Sequence, residues 1–253
     1  MECKRLEVKS QMQRNRHSLF LSVVAVAVAF FGMACGAALA QEDGWLLQQN
    51  TTYSGAQSIY ISPTRGGKLN TKGFSTYIAA PSWQVIMTND RARSYCSMSF
   101  NEWTKKFGKE QPDPNSYNIR RGATGTIAGM RCVQYFVDQK LPDGRMAPTF
   151  EFWMCHDITL PSHLNYAATK LAGIPNIQGI ALRVIRYNYR TGSRSTTVDT
   201  TSCQRVKIAA NMLAPPPGFQ RVADEMDLVM ADDSGEMAEV LNSLQGGQAA
   251  RPR

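Results

Sequence analysis

Histidine is scarce in this chain. There are three in 253 residues, and only His156 and His163 lie beyond residue 40. No His-Glu-x-x-His, paired Cys-x-x-Cys, Gly-x-Ser-x-Gly elbow, P-loop or Gly-x-Gly-x-x-Gly occurs. That removes the signatures of zinc proteases, redox dithiols, α/β-hydrolases and nucleotide-binding folds. His156 and His163 with Cys155 straddle a strand end and a helix start, a spacing unsuited to a metal site, so no metal and no cofactor are expected. Carboxylates are sparse in the strand-like regions. Glu151 alternates with Phe150 and Phe152 and should face solvent or an arginine, and no second carboxylate partners it for acid–base work. No apolar run reaches the roughly twenty residues that cross a bilayer. The net charge is +8, but the basic clusters carry no interleaved aromatics, so a nucleic-acid platform is not expected. Arg91/Arg93, Lys105/Lys106/Lys109, Arg120/Arg121 and Arg183, Arg186, Arg190 and Arg194 read as a solvated face or as contact with a membrane surface.

What the chain does contain begins at its N-terminus. Arg14, Arg16 and His17 lead into the apolar run Leu19–Phe31, and small residues end at Ala38-Leu39-Ala40. Residues 1–40 read as a signal peptide cleaved after Ala40, which predicts a secreted or periplasmic protein. Met12 is an alternative start. Cys35 stands where an acylated cysteine would, although Gly32, Met33 and Ala34 lack the usual upstream leucine. Beyond residue 40 the net charge falls to +5, because the first forty residues hold five Lys or Arg and two Glu. Residues 41–230 suffice for one domain, and residues 231–253 read as a tail with a short helix or no fixed structure.

Cys96, Cys132, Cys155 and Cys203 remain after processing. An even count in an exported chain predicts two disulfides, with three possible connectivities. Apolar runs at 126–137 and 149–158 flank a Pro-Asp-Gly turn. A hairpin symmetric about Asp143/Gly144 sets Cys132 opposite Cys155, which leaves Cys96 to pair with Cys203.

Short β-branched and aromatic runs separated by Gly, Pro, Asn and Asp predict an antiparallel meander from Ser58 to Met98. Residues 65–68 read as a turn within it, and residues 45–58 as a short helix or extended lead-in. Ser99 with Glu102 forms a capping box for a helix whose stripe is Phe100, Trp103 and Phe107, with Gly108 at its C′ position. Pro161-Ser162 opens a second helix, with Leu164, Ala167, Ala168 and Leu171 inward. Long strands follow at 179–189 and 196–208, and Asp224 caps a helical turn through Met230. Asn50-Thr51-Thr52 is a glycosylation sequon without consequence behind a bacterial-looking signal.

Several stretches together carry a family likeness. They are Ile59-Tyr-Ile-Ser-Pro63, Ile78-Ala-Ala-Pro-Ser-Trp83 with Val85-Ile-Met-Thr-Asn89, Phe100-Asn-Glu-Trp103, Gly125-Thr-Ile-Ala-Gly-Met-Arg-Cys132, Glu151-Phe-Trp153 and Pro215-Pro-Pro-Gly-Phe219. Over roughly residues 45–230 the chain resembles exported bacterial proteins of the LolA-like lipoprotein-carrier superfamily. The resemblance implies an α+β fold, a curved antiparallel sheet forming a half-open β-barrel with helices across its mouth. It also implies a non-enzymatic role, either holding acyl chains in the concavity or acting as an envelope sensor or interaction module.

Phe74, Trp83, Val85, Met87, Trp103, Phe107, Phe150, Phe152, Met154, Leu164 and Leu171 are the expected apolar lining for a lipid, acyl chain or acylated protein. The same residues would serve equally as an ordinary closed core. A monomer is expected. The rival readings are a protein-interaction module with no small ligand, and a secreted hydrolase using His156 with Glu151 or Asp157.

Overall fold

The computed structural model describes residues 41–109, 113–141, 143–172 and 177–230. The expected signal segment 1–40 and tail 231–253 lie outside the described residues, as does part of the loop 111–115. The N-terminal half is a meander of β1 (Gln41–Thr51), β2 (Gly55–Ser62), β3 (Gly66–Thr71), β4 (Phe74–Ala79), β5 (Gln84–Asn89) and β6 (Ser94–Met98). The C-terminal half is a second meander of β7 (Tyr117–Ile127), β8 (Met130–Lys140), β9 (Met146–Cys155), β10 (Ile180–Tyr187) and β11 (Arg194–Ala209), with the short β12 (Gln220–Arg221) after it. One sheet holds all twelve, in the order β12-β6-β5-β4-β3-β2-β1-β11-β10-β9-β8-β7. It is antiparallel except where β12 runs beside β6, and it is open, ending at β12 and β7.

Within the sheet the two meanders are joined by the β1–β11 ladder, whose pairing runs from Gln41↔Ala209 to Thr51↔Val198. At its centre Leu47 lies opposite Cys203 and is fully buried. The expected extended lead-in at residue 45 is this strand. Of residues 65–68, read as a turn, 66–68 instead belong to β3, and the turn falls at residues 63–65. β7 was not foreseen, because its apolar positions are few and its exposed face is long. Its hairpin with β8 closes on Ala128 and Gly129 at φ of 49° and 80°, the paired positive φ that a tight two-residue hairpin turn demands.

Register shifts occur between Gln48 and Gln49, Arg121 and Thr124, Val137 and Asp138, Ala181 and Arg183, and Val184 and Ile185. All lie in β1 or the second meander. Each bulge bends and twists its strand, so this half carries the curvature. Leu182, skipped in the β9–β10 pairing, is driven fully into the interior.

Among the described residues three α-helices complete the fold: α1 (Phe100–Phe107), α2 (Ser162–Ala172) and α3 (Glu225–Met230). The expected capping box forms. Ser99 Oγ accepts from Glu102 N–H at 3.2 Å, and the Ser99 N–H donates to Glu102 Oε2 at 2.8 Å. Gly108 departs from the C′ expectation, with φ −71° and ψ 136°; its N–H still reaches the Thr104 carbonyl, so an extended residue ends the helix. In α2, Ala168 is exposed and Thr169 is buried, which moves one inward position along the helix. Asp224 accepts from the N–H groups of Met226 and Asp227 at 2.9 and 3.1 Å, as expected. α3 is tied down twice more. Buried Asn89 donates to the Leu228 carbonyl at 3.1 Å while its oxygen caps the turn at Arg91 and Ala92, and Lys106 pairs with buried Glu225.

The core divides into three clusters. The first sets Phe74, Ile78, Val85, Met87 and Cys96 of the first meander against Trp103, Phe107, Ala167 and Leu228 of the helices. The second gathers Trp45, Leu47, Ile61, Ile127, Cys132, Cys155, Ile158 and Leu182 beneath the β1–β11 junction. The third is Val137, Phe152, Met154 and Ile177 with partly buried Phe150.

All four cysteines are free thiols, so neither expected bridge is formed. The Cys96–Cys203 pairing is incompatible with the topology: β6 and β11 lie six strands apart in the sheet, and the two thiols sit in different clusters. Cys132 and Cys155 do meet. Continuing the Val133↔Met154 register brings them opposite each other, and their side chains are in contact. Burial pushes the Cys132 and Cys203 thiols up to about 11 and Cys96 up to about 12, which makes them weak nucleophiles once folded.

Two outcomes follow from this architecture. Leu47→Ala is expected to lower stability by about 2–5 kcal/mol, read from urea unfolding, because it opens a cavity beneath the ladder that joins the meanders. After oxidative refolding with a glutathione couple, a non-reducing tryptic map is expected to link the Cys132 and Cys155 peptides and to leave Cys96 and Cys203 alkylatable. A Cys96–Cys203 link would overturn the assigned topology.

Candidate functional site

The eleven side chains expected to line one cavity are distributed over two clusters. Phe74, Val85, Met87, Trp103 and Phe107 are buried members of the first, and Trp83, Leu164 and Leu171 pack against it. Phe150, Phe152 and Met154 belong to the third, beyond the β1–β11 junction. In the first cluster α1 and α2 roof the β4–β6 floor, and floor and roof touch: Val85 is 1% exposed, Trp103 4% and Phe107 3%. These residues therefore fill the space they were expected to line.

At the rim of that roof the packing changes. Trp83, in the β4–β5 turn, has φ of 52°, a left-handed conformation that a bulky residue adopts only under constraint. Its ring stacks on His163 at 4.2 Å and 8°. Phe100 meets His163 edge-on at 5.1 Å, and Tyr166 lies 6.0 Å from Phe100. Tyr166 is 44% exposed, and Trp83, Phe100 and His163 are half-buried. His163 Nδ1 is buried and has no hydrogen-bond partner, an uncompensated desolvation of about 1–3 kcal/mol. α1, α2 and the β4–β5 turn thus present an aromatic patch with one strained residue and one unpaired polar atom. The sequence places Trp83 in the expected apolar lining and Phe100 on the stripe of the first helix, and no local pattern connects His163 to them.

A second polar centre was also missed. Glu151, expected to face solvent or an arginine, is 5% exposed. Its Oε1 accepts from Gln134 Nε2 at 2.7 Å and Trp153 Nε1 at 2.8 Å, and its Oε2 accepts from Tyr187 OH at 2.7 Å. Burial alone would raise its pKa, but these three donors, helped by Arg194, outweigh burial and hold the carboxyl below its usual value. The indole of Trp153 lies against Gly125, where an added Cβ would come within 2.6 Å of the ring. Gly125 is thus required by close approach. The group stitches β8, β9 and β10 together and leaves Glu151 no free oxygen for chemistry.

The hydrolase arrangement does not assemble. His156 Nε2 faces Tyr135 OH at 3.4 Å, Asp157 pairs with Arg131 at 3.6 Å, and Glu151 is enclosed by its own donors. No group of three His, Cys, Asp or Glu suited to a metal ion occurs among the described residues, and no helix among them is long and apolar enough to cross a membrane.

The fold is similar to that of MucB. The crystal structure of MucB covers 72% of this chain with 13% identity and a TM-score of 0.38, and the chain spans 60% of the length of MucB. The MucA/MucB complex structure of Pseudomonas aeruginosa gives 12% identity, a TM-score of 0.36, and coverage of 72% of this chain and 59% of that one. A Vibrio parahaemolyticus domain assigned to outer membrane lipoprotein sorting gives 9% identity and a TM-score of 0.24 over 71% of this chain and 91% of its own. No protein-family model matches, and neither does any curated protein.

Glu151 supplies the pH test. Its folded pKa is lowered, so its contribution to stability is complete above the unfolded value near 4.5 and is lost as pH falls through the folded value. Glu151→Gln, which weakens charge-assisted hydrogen bonds, is expected to cost about 1–3 kcal/mol at pH 7. Urea midpoints measured from pH 7 to pH 3 should fall less in the variant than in the parent.

Proposed function

We propose that the protein is an exported, non-enzymatic binding protein that engages a protein partner at the aromatic patch of Trp83, Phe100, His163 and Tyr166. One observation carries the reading. A tryptophan held in a left-handed conformation stacks on a histidine with an unpaired buried nitrogen, above a core already filled by its own side chains. Strain and unsatisfied polar atoms cost stability and concentrate where function requires them. Half-exposed aromatics are the residues on which interface energy concentrates. The filled core supports a surface contact over a preformed lipid cavity.

A second reading is favoured by the roof itself. α1 is eight residues long, and its inner face is Trp103 and Phe107 lying on an apolar floor. If the roof lifts, that floor takes a lipid, an acyl chain or an acylated protein, at about 25 cal/mol for each Å² buried.

A photoreactive phenylalanine analogue at position 166, in cells that produce the protein, separates the two. The surface reading expects an adduct with one protein partner, lost in the Phe100→Ala variant while that variant keeps its thermal unfolding midpoint within a few degrees. Adducts of lipid mass alone, with stoichiometric lipid in the intact mass spectrum, would replace it with the second reading.

A further inference from the structure

On the β1–β11–β10 part of the sheet lies an open cleft of about 430 Å³, lined by Asn50, Thr51, Thr52, Arg183, Ile185, Thr196 and Asp199. The aromatic patch draws its residues from other elements, the β4–β5 turn, α1 and α2, so the cleft is a separate feature of the fold. Two bulges produce the concavity. One, at Gln48/Gln49, lies between β1 and β11, and the other, at Val184/Ile185, between β10 and β11. Both bend strands that would otherwise present a flat face. The second leaves Thr197 out of the ladder. Its carbonyl accepts from the Thr52 N–H at 3.1 Å and its hydroxyl donates to the Val184 carbonyl at 3.3 Å, which fixes the β1–β2 turn against the cleft.

The chemistry of the walls is specific in two ways. First, charge cancels. Arg183 and Asp199 face each other across the strands, with Nε donating to Oδ1 at 2.7 Å, so neither an anion nor a cation is favoured. Second, hydrogen-bonding capacity is unspent in both senses. The terminal amino groups of Arg183, Oδ2 of Asp199, the Asn50 amide and the hydroxyls of Thr52 and Thr196 take no part in the hydrogen bonds among the described residues. Ile185 adds one apolar surface. The volume lies within the roughly 300–1,000 Å³ of small-molecule sites.

We propose that this cleft binds a neutral, hydroxyl-rich ligand, a saccharide of one or two rings. Hydroxyls donate and accept at once. They match Arg183 and Asn50 as donors, Asp199 as acceptor and the threonines as either, without the desolvated net charge that an ionic ligand would bring.

The test uses saturation-transfer NMR on the purified protein with maltose and with N,N′-diacetylchitobiose as probes at millimolar concentration. Transfer to the protons of at least one sugar is expected. Asp199→Asn and, separately, Thr196→Val are expected to weaken that sugar's affinity at least tenfold, with thermal midpoints that stay close to the parent's. Thr196 is exposed, so its variant is a test free of folding effects. No transfer from either sugar, or transfer that both variants leave unchanged, overturns the proposal.

Discussion

The ladder between β1 and β11 is the constraint on which everything else rests. It joins strands about 150 residues apart in the chain and makes one sheet of two meanders that are each locally connected. Local hairpins form cheaply because little loop entropy is lost, whereas a pairing at this separation must be repaid by burial. The repayment lies beneath the ladder, where Leu47, Trp45, Cys155 and Leu182 close over one another, and Arg205 sits 4.0 Å above the Trp45 ring. Without that cluster the sheet has no reason to remain continuous.

The two halves then divide the work. The first meander pairs without register shifts from β2 to β6 and packs against α1, α2 and α3. The second meander and its junction with β1 carry the bulges and are bent, so they make concave polar ground: the enclosed Glu151 on one stretch and the cleft at Arg183 and Asp199 on another. Exposed apolar surface lies at the rim of the first half and open polar ground in the second, because bulges change strand curvature and side-chain direction while helices cover apolar area.

The residues that attract a functional reading are those where local rules are broken. Trp83 has a backbone conformation that its side chain disfavours, His163 has a nitrogen without a partner, and Glu151 is a carboxylate in the interior. The last is fully compensated by three donors and so reads as structural. The first two are not compensated, and that difference, more than the chemical type of the residues, separates a candidate contact surface from a strut.

Much of the local structure was legible in the chain: the capping box at Ser99, the Asp224 cap, the hairpin about Asp143/Gly144, most strands and the apolar stripe of α1. These depend on neighbours a few residues away, whose geometry the backbone dictates. β7 was hidden because an edge strand with a long exposed face has little apolar alternation to betray it. The separation of Cys96 from Cys203, the split of the expected lining between two clusters, the burial of Glu151 and the Trp83–His163 stack were decided by tertiary structure alone. Each follows from where a bulge turns a strand or how a helix crosses a turn, and such displacements leave no period in the sequence.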